Sequence, residues 1–298
     1  MKISAVLMAH NEEQLIGQAL RSLGTVADEL IVGHDGPCRD RTLEIARELA
    51  DQVHEFEFRG APEVNTIKLL RCVKHDWVIR IDCDETLSEN LVEAILRLKQ
   101  TGPPEGVTHY NCFWVNMTAQ EGSEPPTHAE SDEANRLLLF KRSETTWVGI
   151  PHRVPEVGGG AAELREGLLH WAPHQSYSTY DLVTKKLLPF AERDAKIRVR
   201  YPLETYGFDP TSDPQAHILG RDRLRHDHPL LSAVPLATLS LSRSFLGAFR
   251  ARSLKEFRSN LRWPVAHGVY QLALGYNIAR ERRRAATSRS EQQSFQAS

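Results

Sequence analysis

The sequence predicts an α/β protein: a mostly parallel sheet with helices on both faces, followed by a helical C-terminal extension. Three observations lead there. Through the first hundred residues, short apolar runs alternate with segments of helical periodicity, an order that gives a parallel sheet covered on both sides. The apolar run Trp77-Val78-Ile79-Arg80-Ile81 reads as a buried strand and ends abruptly in Asp82-Cys83-Asp84-Glu85. From about Ser178 onward the apolar residues fall at helical spacing.

The elements follow in order. Ile3 to Ala9 is a short apolar strand. Asn11 is expected to cap a helix carrying Leu15, Ile16, Ala19, Leu20 and Leu23, with Gly24 at its end. Glu29 to Gly33 is a second strand, and Asp40 is expected to cap a helix burying Leu43, Ile45, Ala46 and Leu49. Val53 to Phe58 alternates as a half-buried strand does. A helix from about Val64 to Lys74 leads into the Trp77 strand, and Ser88 caps an amphipathic helix through Leu91, Ile95, Leu96 and Leu98.

After Gly102-Pro103-Pro104 the texture changes. His109 to Met117 and Arg136 to Lys141 read as strands, separated by a polar, acidic loop from Thr118 to Glu133. A turn-rich stretch at Val148–His152 and a glycine tip at 158–160 precede a last strand from Gly167 to Trp171. Helix is expected from Ser178, and again over Ala237–Arg284 with a break at Trp263-Pro264. The expected domains are therefore 1–177, divided into halves 1–115 and 116–177, then a helical extension 178–286 and a disordered tail 287–298.

Composition narrows the function classes. The 298 residues are 41% hydrophobic and 26% charged, as in globular proteins. Four scattered cysteines form no C-x-x-C pair, which fits a reducing cytosol better than a zinc site or disulfide framework. The N-terminal apolar stretch is too short for a signal-peptide core, and no run reaches the roughly 20 apolar residues of a membrane span. These features predict a cytoplasmic protein. The net charge of −2 hides an asymmetry: residues 237–298 hold 11 Lys+Arg against 3 Asp+Glu, and the rest is acidic. Arg243, Arg250, Arg252, Lys255, Arg258 and Arg262 interleave with leucines and phenylalanines. That basic amphipathic pattern suits peripheral contact with an anionic membrane surface, or equally a helical subdomain with a basic outer face. The acidic body argues against nucleic-acid binding.

Asp82 and Asp84 carry the chemistry. Acidic groups are depleted in strands and costly to bury without a partner. Two of them at the C-terminal end of a central strand sit where open α/β sheets bind ligands. Hard oxygen donors suit Mg²⁺ or Mn²⁺, and these ions suit a diphosphate. Asp35 ends the second strand at the same edge, where its alternative role is to close the Gly36-Pro37 turn.

In their order and spacing these pieces resemble the family 2 glycosyltransferases, which have a GT-A, Rossmann-like fold. Met8-Ala9-His10-Asn11-Glu12-Glu13 is similar to that family's opening strand. Asp35 to Thr42 resembles its D-x-x-x-x-D-x-T turn, and Asp82-Cys83-Asp84-Glu85 its D-A-D-E metal motif. The bacterial branch that includes lipopolysaccharide-core glucosyltransferases looks nearest. The resemblance implies a transferase that moves a sugar from a nucleotide-sugar, UDP-linked, to a glycan or lipid-linked acceptor with inversion. It implies that Ala9, Asn11, Glu12, Asp35, Asp82 and Cys83 contact the nucleotide. It also implies that Asp82 and Asp84 hold the metal, with His152 or His170 completing the shell. Asp132, Glu133 and Glu156 are the candidates for the base that deprotonates the acceptor hydroxyl.

Two other readings fit the same residues. A sugar nucleotidyltransferase also joins an α/β sheet to carboxylate-bound Mg²⁺, but would show a basic, glycine-rich phosphate loop where this chain has acidic His10-Asn11-Glu12-Glu13. A non-catalytic, glycosyltransferase-like binding protein would account for His152-Arg153, where the resembled branch often carries His-Glu. The intact Asp82/Asp84 pair speaks against it.

Overall fold

The computed structural model describes residues 1–116, 136–170, 179–218, 220–248 and 254–296. The chain divides into two units, Met1–Gln175 with Glu204–Ser212, and Ser176–Leu203 with Asp213–Ser298.

The first unit opens with β1 (Ile3–Ala9), α1 (Ile16–Gly24), β2 (Glu29–Asp35), α2 (Thr42–Leu49), β3 (Gln52–Phe56), α3 (Pro62–Leu70) and β4 (Trp77–Ile81). It continues through β5 (Glu85–Leu87), α4 (Glu89–Thr101), β6 (Val107–Asn116), β7 (Arg136–Lys141), β8 (Thr145–Val148), β9 (Glu156–Val157) and β10 (Gly160–His170). The main sheet has the order β3-β2-β1-β4-β7-β6-β10-β5. Its first four strands are parallel, β7 runs antiparallel to both neighbours, β10 is parallel to β6, and β5 closes the edge antiparallel to β10.

Why β1 lies at the centre is visible in its sequence. It is apolar at almost every position because both its faces are buried, as parallel strands require. Ile3, Ala5 and Leu7 pack with Ile16, Leu20 and Leu23 of α1 and Leu91 and Ile95 of α4. Val6 and Met8 point the other way, toward Ile67 and Leu70 of α3 and the indole of Trp147. Ser88 caps α4 by accepting the Leu91 N–H at 3.2 Å.

Several boundaries differ from the sequence expectation. Asn11 does not cap α1: the helix begins at Ile16, and Asn11 has a left-handed φ of 55°. Its side-chain oxygen instead accepts the Arg39 N–H at 2.8 Å, tying the loop after β1 to the loop after β2. Asp40 serves both loops, accepting the Thr42 N–H at 2.9 Å and the Glu13 N–H at 3.2 Å. The last strand starts at Gly160, well before Gly167, because β6 extends back to Val107 and gives residues 160–164 a parallel partner.

The second unit holds α5 (Thr179–Asp181), a π-helical stretch Leu182–Leu187 and α6 (Leu188–Arg200). Beyond β11 (Thr205–Tyr206) come α7 (Gly220–Asp227), α8 (Pro229–Ala248) and α9 (Leu254–Gln296). Leu187, Ala191 and Ala195 pack against Ala266, Tyr270, Leu274 and Ile278, a four-residue row along α9. Buried Asp194 accepts the Tyr270 hydroxyl at 2.6 Å. Helix α9 runs through Trp263-Pro264, where a break was expected, and on past Thr287, where composition predicted a disordered tail. The segment 204–212 returns to the first unit, where β11 pairs antiparallel with β8. Its two-residue strand leaves no periodic signal.

Candidate functional site

Strands β1, β2 and β4 run parallel side by side, with Leu7 opposite both Val32 and Ile81. Their C-terminal ends therefore form one edge. The loop after β1 brings His10, Asn11 and Glu12 there, the end of β2 brings Asp35, and the turn after β4 brings Asp82, Cys83 and Asp84. This is the edge at which open α/β sheets take ligands.

At its centre is a carboxylate–histidine pair. Strand β5 pairs with the end of β10 so that His170 lies opposite Glu85. That register sets His170 Nε2 3.2 Å from Asp84 Oδ2. The Trp114 ring lies 4.2 Å from the imidazole, centroid to centroid. Asp84 is about one-third exposed, at 34%. Glu12 faces the same space: burial raises its carboxyl above the usual value, and the Asp84 charge raises it further.

Asp82 is placed differently. Its Oδ1 accepts from Arg80 at 3.0 Å and its Oδ2 from Arg136 at 3.1 Å. The Arg136 Nη2 also reaches Glu85 Oε2 at 2.8 Å, and the same oxygen accepts the Asp82 N–H. Burial opposes ionisation of Asp82, but the Arg80 and Arg136 guanidiniums hold its carboxyl below the usual range. Glu85 is more deeply enclosed, and burial raises its carboxyl despite Arg136. Arg80 sits over Trp147, 5.6 Å from the ring centroid. Arg80 and Arg136 were not singled out by the sequence; the only signal was a cation inside an otherwise apolar strand.

Asp35 was expected to face a nucleotide, with closure of the Gly36-Pro37 turn as the alternative. The structure gives its carboxylate internal partners beyond that turn. Oδ1 accepts the Arg59 N–H and the Asn65 amide, each at 2.7 Å, and Oδ2 accepts the Gly60 N–H at 2.7 Å. With Asp35 only 4% exposed, these three donors bind the loop after β3, and the start of α3, to the end of β2.

The other expected residues are dispersed. Ala9 is buried at the end of β1 and offers backbone groups only. Cys83 is buried, its thiol directed to the Met8 carbonyl at 3.4 Å and pushed well up by burial. His152 is exposed in a left-handed conformation, with its N–H on Glu63 of α3 at 3.2 Å. Of the two candidate histidines, His170 is the one that meets the acidic motif. Glu156 is 65% exposed and pairs with Arg153 rather than with any residue of the Asp82–Asp84 group. Asp132 and Glu133 lie outside the described residues.

Among the described residues, no three His, Cys, Asp or Glu side chains converge tightly enough to form a closed metal site. The donor set fits an open one. One partly exposed carboxylate and one imidazole, with a second carboxylate close by, match what Mn²⁺ or Mg²⁺ takes from protein when phosphate oxygens and water fill the remaining positions.

Comparison with known proteins follows the same half of the chain. The family described as Glycosyl transferase family 2 matches residues 4–163, more than half of the sequence. An uncharacterized glycosyltransferase of Rickettsia typhi is 36% identical over 94 residues, 32% of either chain. The chain thus spans about a third of the length of the curated relatives it matches. Among solved structures, glucosyl-3-phosphoglycerate synthase from Mycobacterium tuberculosis, with Mn²⁺, UDP and phosphoglyceric acid, is 26% identical, with 38% of this chain and 43% of that one aligned and a TM-score of 0.33. A mannosyltransferase from Pyrobaculum calidifontis, with GDP-Man and Mn²⁺, is 17% identical over 93% of this chain and 87% of that one, with a TM-score of 0.45.

Proposed function

We propose, since this chain belongs to glycosyl transferase family 2, that it moves a sugar from a nucleotide-sugar, UDP-linked, to a hydroxyl of a glycan or lipid-linked acceptor. The observation that carries this reading is the Asp84–His170 pair at the sheet's ligand edge, beside Glu12 and the arginine-braced Asp82. Asp84 and His170 would hold Mn²⁺ or Mg²⁺. The bound ion supplies charge neutralisation for the nucleoside diphosphate leaving group. Backbone groups of the loop after β1, together with Glu12, would contact the nucleotide.

Asp82 has a supporting part. Braced by two guanidiniums, it fixes the turn that presents Asp84 and stays ionised to accept from a ribose hydroxyl or a metal-bound water. In-line attack on the anomeric carbon with one displacement inverts its configuration, and a carboxylate across the sugar would take the acceptor proton. Asp132 and Glu133 are the candidates for that base in this proposal. Exposed, arginine-paired Glu156 is a weaker one.

No helix among the described residues is long and apolar enough to cross a membrane. Membrane contact in this proposal is peripheral. Leu231 and Val234 are exposed on α8, and the arginines that follow from Arg243 would add attraction to anionic lipid. A panel of nucleoside diphosphates and nucleotide-sugars, with and without Mn²⁺, tests the reading by thermal shift, because native-state ligands raise the midpoint by mass action. Stabilisation by UDP and its sugars that needs Mn²⁺ is the expected result. Indifference to every nucleotide would contradict it.

A further inference from the structure

Behind the acidic motif, on the α3 face of the sheet, lies a cavity of about 270 Å³ lined by Arg80, His109, Asn111, Arg136, Phe140 and Val154, among others. We propose that it is the seat of an oxyanion, phosphate or carboxylate, carried by the acceptor. The proposal rests on the glycosyltransferase reading above and names its acceptor class.

The strand pattern assembles this cavity. Antiparallel pairing sets His109 opposite Phe140 and Asn111 opposite Leu137, so β6 and β7 contribute polar and apolar groups to one space. Arg80 enters from β4 and Arg136 from the start of β7. Arg80 is almost wholly buried, and a buried cation is costly unless its donors are satisfied. Yet among the described residues each guanidinium meets the carboxylates through Nη2 alone. Among the described residues, the buried Arg136 Nε has no partner. A guanidinium carries five N–H donors in a planar fork that matches carboxylate and phosphate oxygens.

A simple brace for Asp82 would need the two arginines but not the rest of the lining. His109 lines the space with an imidazole kept neutral by burial, its Nδ1 3.3 Å from Thr108 Oγ1. Asn111 offers two N–H donors through its amide. Phe140 and Val154 provide an apolar wall of the kind that flanks the carbon skeleton of a bound ligand. Asp82 touches both arginines, so an anion here would lie one carboxylate away from the metal motif. That spacing suits an acceptor whose hydroxyl must meet a sugar held on the other side of Asp82.

Inorganic phosphate is the probe. It is titrated by thermal shift and calorimetry into protein saturated with UDP and Mg²⁺, so that the diphosphate position is already filled. Two variants keep the fold. Val154→Glu puts a carboxylate at a rim position that is 62% exposed, and Asn111→Asp is isosteric. The expected result is phosphate binding in the wild type that weakens on the order of tenfold or more in each variant, because each sets a like charge beside the bound anion, with UDP affinity unchanged. Acetate added in place of phosphate distinguishes a planar from a tetrahedral preference. Absence of phosphate binding, equal binding in the variants, or displacement of phosphate by UDP would overturn the proposal. If UDP itself fails to bind, the donor reading falls, and the same phosphate titration without nucleotide decides the cavity.

Discussion

His170 Nε2 lies 3.2 Å from Asp84 Oδ2, although 86 residues separate them in the chain. The contact exists because β5, only three residues long, pairs with the end of β10. Strand β5 contributes Glu85, which stabilises the turn from below, and β10 delivers the imidazole. A His170→Ala protein should therefore keep its fold and its metal-independent affinity for UDP, while the Mn²⁺-dependent part of UDP binding weakens roughly tenfold or more, the scale of losing a group that orients or binds the metal. Calorimetry at fixed Mn²⁺ reads this, and an unchanged Mn²⁺ dependence would remove His170 from the site.

Asp35→Ala should act first on stability. It strands two backbone N–H groups and one of the two amide hydrogens of Asn65, whose other partner is the Glu57 carbonyl, in a buried place. Each unsatisfied donor costs about 1–3 kcal/mol before relaxation. A loss of roughly 2–4 kcal/mol in urea unfolding is expected. Wild-type stability with a raised KM for donor would instead return Asp35 to nucleotide contact.

Arg136→Met should be severe alone and milder in company. Removing the guanidinium leaves Glu85 buried without a counter-charge, a change that costs about 3–5 kcal/mol. Adding Glu85→Met replaces the remaining charge with an apolar side chain and should recover part of that loss. A double-mutant cycle by denaturant unfolding checks it, with simple additivity as the contradicting result.

Asp40 predicts an acid limb. Partial burial opposes its ionisation, but hydrogen bonds from Thr42, the Glu13 N–H and the Cys38 thiol outweigh it and hold the carboxyl at about 2, against an ordinary 3.8. A folded value below the unfolded one means the unfolded chain takes the proton first. The stabilising contribution is complete above the unfolded value, shrinks as pH falls from about 3.8 toward 2, and is gone below that. Asp40→Asn should thus be less stable than wild type at pH 6 and converge with it near pH 2. A gap that stays constant across this range would contradict the assignment.

The sequence made the sheet legible where physical signals are local. Both faces of β1 are buried, so its apolar run is unbroken, and the capping serine of α4 stands where helix periodicity begins. The edge shared by Asp35 and Asp82 followed from strand–helix alternation alone. What stayed hidden depends on long-range register. Neither the two guanidiniums on Asp82 nor the return of β11 to β8 has a periodic signature. Asn11 misled because Asx residues suit both helix caps and left-handed turns, and here its oxygen joins two loops instead. Pro264 suggested a helix break, yet α9 continues through it. A proline's cost can be outweighed by packing such as the Ala266–Ile278 row beside it.

The central claim is that Asp84 holds the cation on which nucleotide binding depends. Its most direct measurement is calorimetric titration of UDP into wild-type and Asp84→Ala protein, each with and without Mn²⁺, with circular dichroism confirming the fold. The account predicts that Mn²⁺ strengthens UDP binding to the wild type and makes no difference to the variant, because the carboxylate it removes is one-third exposed and carries no structural hydrogen bond to backbone among the described residues. Equal strengthening by Mn²⁺ in both proteins would contradict it.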